Sequence, residues 1–275
     1  MKKKMIFILV PVMLLVIAAG VWFVLHEKSQ SSNITALIEE NENLSRRVEA
    51  LDEKLHQAAL ELAQRDERSE KSTREPLEWG DGYNWMAIGN SLTWIEGWQR
   101  GICSTQPDND YFGIVKAWLE SRHENVQARR CNYSDWEFST ARASVFDLID
   151  PYLSEKLDLV TIQLGENVAA VDTYRADLEW LVRYIGEKCP SAQIIVIDDF
   201  WSQAKSDIRR SVAEECDIQF ADLGEIRGKA EHQSKEGTEC LTADGRVITV
   251  SKEAETHPGD SGMAYIAEQL IKVLE

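Results

Sequence analysis

Residues 79–275 alternate short apolar runs with amphipathic stretches, and this alternation constrains the fold more than any other feature of the chain. The apolar runs are rich in isoleucine and valine, which predicts strands, and the stretches between them predict helices. Strands that alternate with helices build a parallel sheet covered on both faces. We therefore predict an α/β fold, a three-layer α/β/α doubly wound sheet. The predicted strands are 85–88, 126–131, 157–164, 193–197 and 218–223, and the predicted helices are 111–122, 144–153, 173–188, 207–215 and 263–274.

The segment 240–251 interrupts this rhythm. Asp244 and Gly245 stand between two β-prone flanks, which predicts a small hairpin. With that excursion, 79–275 has the usual size of one α/β domain, so the sequence places the functional domain there.

An uncharged apolar run extends from Met5 to Leu25 and follows three consecutive lysines, 2–4. As a helix, ~20 such residues cross a hydrocarbon core of ~30 Å. We predict a transmembrane anchor over 1–27, with a cytoplasmic N-terminus because lysines stay on that side, and with the rest of the chain outside the cytoplasm. A cleaved signal peptide is the alternative, but the apolar run continues past the small residues 18–20.

Residues 28–65 carry apolar side chains at three-four spacing and predict a coiled-coil stalk. Leucines dominate the d positions, and the single polar Asn41 at an a position is typical of a parallel two-stranded coil, so we expect a homodimer. A trimer and a solvated single helix remain alternatives. The charged segment 66–78 predicts a linker. The seam consists of Ile34, Leu37, Asn41, Leu44, Val48, Leu51, Leu55, Ala58 and Leu62.

Charge and composition exclude several functions. The 47 acidic residues outnumber the 30 basic ones, for a net charge of -17, which argues against a nucleic-acid partner. The histidines show no paired spacing with the cysteines, so we expect no metal site, and no glycine-rich phosphate loop indicates a cofactor. Five cysteines fall in a domain expected outside the cytoplasm, where a disulfide persists; Cys189 with Cys216 is the preferred pair, although the sequence does not settle the pairing.

Ligand sites of doubly wound sheets lie at the carboxyl ends of the strands. Ser91 follows the first predicted strand, Asn167 follows the third, and His257 ends the loop before the last helix. A serine needs a base to become a nucleophile, and an oxyanion needs fixed donors at about 3 Å. Ser91, His257 and Asn167 together supply that minimum for acyl transfer.

The motifs around these residues resemble those of the SGNH hydrolases, also called the GDSL esterase and lipase superfamily. The motifs are Gly-Asn-Ser-Leu-Thr at 89–93, Gly-Glu-Asn at 165–167, and His-Pro at 257–258 followed by Gly262. The resemblance covers the whole of 79–275 and implies the flavodoxin-like fold of that superfamily. It further implies Ser91 as the nucleophile, His257 as its base, and the Ser91 N–H with the Asn167 side chain as oxyanion donors.

The sequence departs from the family pattern in three places. The second motif has no glycine, so we expect an N–H within 132–134 to serve as a further oxyanion donor, with Asn132 as the candidate. Val168 stands where the third motif has an aspartate. Ala254 occupies the position of the triad acid; Glu255 is our candidate for that role, Glu253 is an alternative, and a backbone carbonyl could also orient the histidine.

Four tryptophans suggest the substrate, since flat aromatic faces suit sugar rings. Trp94 and Trp98 follow Ser91 at spacings of three and seven, which would share one helix face, and Trp136 and Trp201 follow the second and fourth strands. Each ring could instead fill the core. We predict a membrane-anchored, extracytoplasmic serine esterase of the carboxylic-ester hydrolase class (EC 3.1.1) that removes or transfers O-acyl groups, above all acetyl, on a carbohydrate. The alternative is a catalytically weakened glycan-binding or envelope-structural module.

Overall fold

The structure is a computed structural model that describes residues 77–275, apart from 143, 144, 146 and 147, and only Glu40 and Leu44 before them. The predicted anchor (1–27), nearly all of the coiled coil (28–65) and most of the linker (66–78) lie outside the described residues. Among the helices of the described ranges, none has both the length and the apolar character that crossing a bilayer requires.

Five parallel strands form the central sheet. In chain order they are β1 (Asn84–Gly89), β2 (Gln127–Asn132), β3 (Leu159–Gln163), β4 (Gln193–Ile197) and β5 (Gln219–Ala221). Their order in the sheet is β2-β1-β3-β4-β5, which confirms the predicted parallel α/β architecture and is the order of flavodoxin-like doubly wound sheets. Connections diverge on either side of β1 and β3, so a crevice opens at their carboxyl ends.

Helices cover both faces of this sheet, because successive side chains of a strand point to opposite faces. The helices are α1 (Tyr111–Glu120), α2 (Ser134–Phe138), α3 (Val171–Lys188), α4 (Gln203–Glu215) and α5 (Asp260–Leu274). On β1, Met86 and Ile88 join one apolar cluster with α3 and α4, whereas Trp85 and Ala87 join another with α1 and α5. Every residue of β1 is buried, which explains the continuous apolar run 85–88 in the sequence.

Two local predictions have different outcomes. The hairpin is confirmed: β6 (Glu239–Leu241) pairs antiparallel with β7 (Val247–Thr249). The predicted helix over 144–153 is wrong in its described part, where no α-helix forms: Val145, Leu148 and Asp150–Tyr152 have 3-10 conformation, and Pro151 cannot continue an α-helix. The short helix α2, which follows β2 directly, was not predicted.

All five cysteines are free thiols. The preferred Cys189–Cys216 disulfide is therefore wrong for this structure. Cys189 is buried at the end of α3 and Cys216 is half-buried at the end of α4, and each packs against the same apolar cluster. Both thiols act there as small apolar groups.

Candidate active site

Ser91 lies on a tight turn directly after β1. The N–H groups of Thr93 and Trp94 both donate to the carbonyl of Asn90, at 2.9 and 2.8 Å, which folds the chain sharply at the end of the strand. A Cβ at Gly89 would collide with the Thr93 side chain, so this turn requires glycine where the strand ends. The turn therefore holds Ser91 at the carboxyl edge of the sheet.

His257 faces Ser91 from the loop before α5. The two side chains meet at 3.1 Å between Ser91 Oγ and His257 Nε2. On the other side of the ring, Nδ1 lies 3.2 Å from the carbonyl oxygen of Ala254. A carbonyl oxygen only accepts hydrogen bonds, so Nδ1 carries the proton and Nε2 is left as an acceptor toward the serine hydroxyl. That is the tautomer a general base needs.

Burial lowers the pKa of His257, and the hydrogen bond to Ala254 opposes this only in part. Trp201 contributes to the burial. Its indole stands nearly perpendicular to the imidazole, with ring centroids 5.3 Å apart and an interplanar angle of 79°. The indole N–H donates to the carbonyl of Thr256 at 3.0 Å, which fixes the ring against the loop that carries the histidine. The imidazole is thus held neutral near physiological pH.

Neither candidate for the triad acid contacts the imidazole. The Glu255 carboxylate forms an ion pair with Lys252 instead, and Glu253 accepts a hydrogen bond from the Ser251 side chain. The loop folds so that the main-chain N–H of His257 donates to the Ala254 carbonyl oxygen at 3.0 Å. The ring nitrogen Nδ1 faces the same oxygen. The expectation that Glu255 orients the histidine is therefore corrected: a main-chain oxygen occupies that place.

Asn167 lies across the pocket from His257, on the loop after β3. Its carboxamide nitrogen donates to Glu137 at 2.8 Å, which leaves one N–H of the same group unused by that bond. Within the described part of the chain, no hydrogen bond engages the N–H of Ser91. Both groups line the pocket and are available to a substrate oxyanion.

Gly165 shapes the loop that carries Asn167. Its φ is +123°, a conformation that side chains other than glycine's rarely adopt, and a Cβ there would collide with the Tyr174 hydroxyl. The hydroxyl of Tyr174 also donates to the carbonyl of Leu164 at 3.0 Å. The glycine of the third motif is therefore a steric requirement of the loop.

A charge cluster built on the fully buried Arg209 adjoins the pocket, and its members Glu166 and Asp199 belong to the pocket lining. Its Nη2 lies 2.9 Å from Glu166 Oε1 and 3.3 Å from Asp199 Oδ2. Burial, with the nearby charges of Asp199 and Glu137, raises the pKa of Glu166 to about 7 despite that ion pair. Lys205 donates to the Glu166 carbonyl at 2.6 Å, and partial burial lowers its pKa.

The pocket has a volume of about 230 Å³, below the roughly 300–1,000 Å³ usual for sites of drug-sized ligands. Apart from one indole, its lining side chains carry hydroxyl, amide, carboxylate, imidazole or ammonium groups. They are Ser91, Glu166, Asn167, Asp199, Trp201, Ser202, Lys205 and His257. Such a lining suits a small polar group.

Three of the four tryptophans predicted for the site lie away from this pocket. Trp136 is fully buried and packs edge-on against Tyr174 in the core. Trp98 is buried in a small cluster beside the hairpin, and Trp94 is half-buried without lining the pocket. No helix forms over 91–99, where the positive φ values of Gly97 and Gln99 break the expected common face.

The segment after β2 also differs from the expectation. The carboxamide oxygen of Asn132 accepts from the N–H and the hydroxyl of Ser134, at 3.0 and 2.8 Å. The Tyr133 N–H donates to the Gly89 carbonyl at 2.8 Å. Of the three main-chain N–H groups at 132–134 expected as oxyanion donors, those of Tyr133 and Ser134 are thus bonded within the protein. Asn132 is not part of the pocket lining.

Sequence reasoning missed Glu137, Asp199, Arg209 and Lys205. Asp199 follows β4 at the active edge, a position that could have indicated it. The other three come from helices, and no motif marked them. Within the described ranges, no group of three or more histidine, cysteine, aspartate or glutamate residues is arranged to hold a metal ion.

No family model matches the chain, and no curated protein matches it either. Several solved structures are similar to it at low identity, including the following three. An extracellular lipase from Streptomyces rimosus is 16% identical, with 70% of this chain and 99% of the lipase covered and a TM-score of 0.45. A catalytic mutant of an acetylxylan esterase from Geobacillus stearothermophilus is 16% identical, with coverages of 72% and 96% and a TM-score of 0.49. A phospholipase A1 from Streptomyces albidoflavus is 14% identical, with coverages of 70% and 99% and a TM-score of 0.42.

Proposed function

We propose that residues 79–275 form a serine hydrolase that acts on carboxylic esters through Ser91 and His257. The observation that carries this proposal is the 3.1 Å approach of Ser91 Oγ to His257 Nε2 at the carboxyl edge of a doubly wound sheet. The motifs at 89–93, 165–167 and 257–258, which resemble those of SGNH hydrolases, support the same assignment.

In the proposed reaction, Ser91 Oγ attacks the ester carbonyl carbon while His257 Nε2 takes the hydroxyl proton. The Ser91 N–H and the free N–H of Asn167 donate to the oxyanion that forms. Collapse of this intermediate breaks the ester C–O bond, and His257 returns its proton to the departing alkoxide. Water then attacks the acyl-enzyme by the same route and releases the acid; an acceptor hydroxyl in its place would give acyl transfer.

We further propose that the substrate is an O-acylated carbohydrate and that the acyl group is acetyl. The small pocket supports a short acyl group, since a long chain would need more apolar lining than one indole provides. Trp201 also offers an aromatic face to a sugar ring. Trp94, Trp98 and Trp136 have no part in this proposal.

The test is hydrolysis of p-nitrophenyl acetate and of acetylated xylan by the full chain in detergent. We expect Ser91→Ala and His257→Ala to lose nearly all turnover. Matched controls are Ser202→Ala, which removes a hydroxyl from the same pocket, and His123→Ala, which removes a histidine stacked on Tyr83 far along the chain. The serine mechanism would be refuted if Ser91→Ala and His257→Ala both hydrolysed these esters at the wild-type rate.

We also propose that residues 1–27 anchor the protein in the cell membrane, with a cytoplasmic N-terminus and an extracytoplasmic domain, and that 28–65 form a homodimeric coiled coil. The uncharged run after three lysines supports the anchor, and the heptad seam supports the dimer. Protease treatment of spheroplasts should degrade the domain but not the N-terminus. Deletion of 28–65 should convert the detergent-solubilised dimer to a monomer in light-scattering mass measurements.

A further inference from the structure

We infer that Glu137 is a positioning residue that joins the Ser91 turn to the Asn167 loop and so fixes the oxyanion donor of the proposed hydrolase. This role rests on the function proposed above. Glu137 belongs to α2, the short helix in the place where the second motif lacks its glycine, and only 2% of the residue is exposed.

The Glu137 carboxylate collects four N–H donors from two separate segments. Two come from Asn167, its N–H at 3.3 Å and its carboxamide Nδ2 at 2.8 Å, and a third is the Gly165 N–H at 2.5 Å. The fourth is Asn90 Nδ2, at 2.9 Å, from the turn that precedes Ser91. Three of these donors, from Gly165, Asn90 and the Asn167 main chain, share Oε1, and Asn167 Nδ2 alone reaches Oε2.

This arrangement determines which way the Asn167 carboxamide faces. A carboxylate only accepts hydrogen bonds, so the amide must present its nitrogen to Glu137 and turn its oxygen away. A flipped carboxamide would set its oxygen against the buried Glu137 carboxylate. With one N–H held by Glu137, the second N–H of the same nitrogen remains for the substrate oxyanion.

Asn90 extends the same constraint to the nucleophile. Its Nδ2 donates to Glu166 Oε2 at 2.7 Å as well as to Glu137, and its Oδ1 accepts from the Leu92 N–H at 3.2 Å. The side chain next to Ser91 is therefore tied on both of its polar ends. One carboxylate thus connects the residue before the nucleophile with the oxyanion donor, and the distance between them is set without a covalent link.

Glu137 itself does not line the pocket, so it acts on the reaction through Asn167, whose carboxamide it orients, and not on the substrate. In the described part of the chain the hydrogen-bond donors to Glu137 are all uncharged amides, and no ion pair of Glu137 is found there. This is the pattern of a group that fixes geometry, because neutral donors give direction with little attraction at a distance.

The test compares kcat and KM for p-nitrophenyl acetate in the full chain, using Glu137→Gln, Glu137→Asp, Asn167→Ala and the double variant Glu137→Gln/Asn167→Ala. Loss of an oxyanion donor lowers kcat by ~10²–10³. We expect Glu137→Gln to lower kcat at least 10-fold with KM within about 3-fold of wild type, because its amide would force Asn167 to flip. Glu137→Asp keeps the negative charge but has a shorter side chain, so we expect its kcat to lie between those of wild type and Glu137→Gln.

The double variant distinguishes positioning from a general structural role. If Glu137 acts through Asn167, the double variant should be no more than about 2-fold slower than Asn167→Ala alone. Multiplicative losses would overturn the inference, as would a kcat of Glu137→Gln equal to that of wild type. Asp135→Asn, which removes a carboxylate from the same helix, serves as the matched control and should keep wild-type kcat.

Thermal unfolding and the turnover of Ser91→Ala are measured as well. Thermal unfolding checks that each variant folds; if Glu137→Gln does not, the same comparison is made with Glu137→Asp and its double variant. Ser91→Ala is measured beside them. If Ser91→Ala loses turnover while the Glu137 variants keep it, the role of Glu137 is refuted and the proposed function stands. If the wild-type protein is no faster than Ser91→Ala, the proposed function is refuted, and the role of Glu137 with it.

Discussion

Nδ1 of His257 lies 3.2 Å from the main-chain oxygen of Ala254, where serine hydrolases with a triad place a carboxylate. The carbonyl can fix the tautomer and orientation of the ring as a carboxylate does. It has no full negative charge with which to stabilise the imidazolium that forms during proton transfer. In the proposed hydrolase, the catalytic group is therefore a Ser91–His257 dyad with a main-chain orienting oxygen.

Replacing Glu255 should leave activity nearly unchanged. Its carboxylate pairs with Lys252, so Glu255→Ala removes an exposed ion pair and no contact of the histidine. We expect kcat/KM within about 2-fold of wild type, because exposed ion pairs contribute little. A loss of 10-fold or more in ester hydrolysis would show that Glu255 reaches His257 during catalysis.

The pH dependence should follow the lowered pKa of His257. The base must be neutral, so kcat/KM falls when the pH drops through the pKa of the imidazole. Because burial lowers that pKa, the acid limb should have its midpoint below the ordinary value of about 6.5. Trp201→Ala uncovers the ring and should move this midpoint upward, with a smaller move in Trp201→Phe. Identical acid limbs in all three proteins would contradict the role of Trp201 in burying His257.

Glu166 should make the folded state less stable as the pH rises. Its pKa is about 7 in the folded protein and ordinarily near 4.5, so between these values the folded state holds a proton that the unfolded state has released. The contribution of Glu166 to the free energy of unfolding is fully present below about pH 4.5 and is lost as the pH rises through 7. The shift corresponds to a change on the order of 3 kcal/mol.

Denaturant unfolding from pH 4.5 to 8 measures this effect. Glu166→Gln cannot titrate, so its stability curve should be flatter than that of wild type over this range. Glu236→Gln, which changes an exposed glutamate, should keep the wild-type slope. A wild-type slope in Glu166→Gln would assign the pH dependence to other groups.

Substitution of Gly165 should damage both stability and activity. Gly165→Ala places a Cβ against Tyr174 and a side chain at φ +123°, which should lower the free energy of unfolding by roughly 2–3 kcal/mol. Gly228→Ala is the matched control, since its φ is +65° and no atom lies within 4 Å of the added Cβ. We expect a loss of about 1 kcal/mol there and unchanged kcat.

The strands, and the motif residues Ser91, Asn167 and His257, could be predicted because each is marked by its neighbours in the sequence. Met86, Ile88 and their neighbours are buried on both faces of the sheet, which leaves an uninterrupted apolar run in the sequence. Parallel strands end at a common edge, so Ser91 and Asn167 could be placed near each other from their positions after β1 and β3.

Other features depend on how distant segments pack. Trp136 and Trp201 both follow strands, yet one fills the core and the other covers His257, and nothing in their neighbouring residues separates the two cases. Glu137 is a charged residue on a five-residue helix, a pattern that ordinarily indicates a solvated turn. Its partners lie 47, 28 and 30 positions away along the chain, at Asn90, Gly165 and Asn167.

The main-chain contact of His257 has a consequence for how such a site diversifies. Because every residue type carries the same carbonyl, selection on the orientation of the imidazole acts on the path and length of the loop, and the Ala254 side chain is constrained only by its packing in the small cluster beside the hairpin. An alanine scan would report His257 as the sole catalytic side chain of that loop. A one-residue insertion between Ala254 and His257 would remove the partner of Nδ1 without altering any of the motifs.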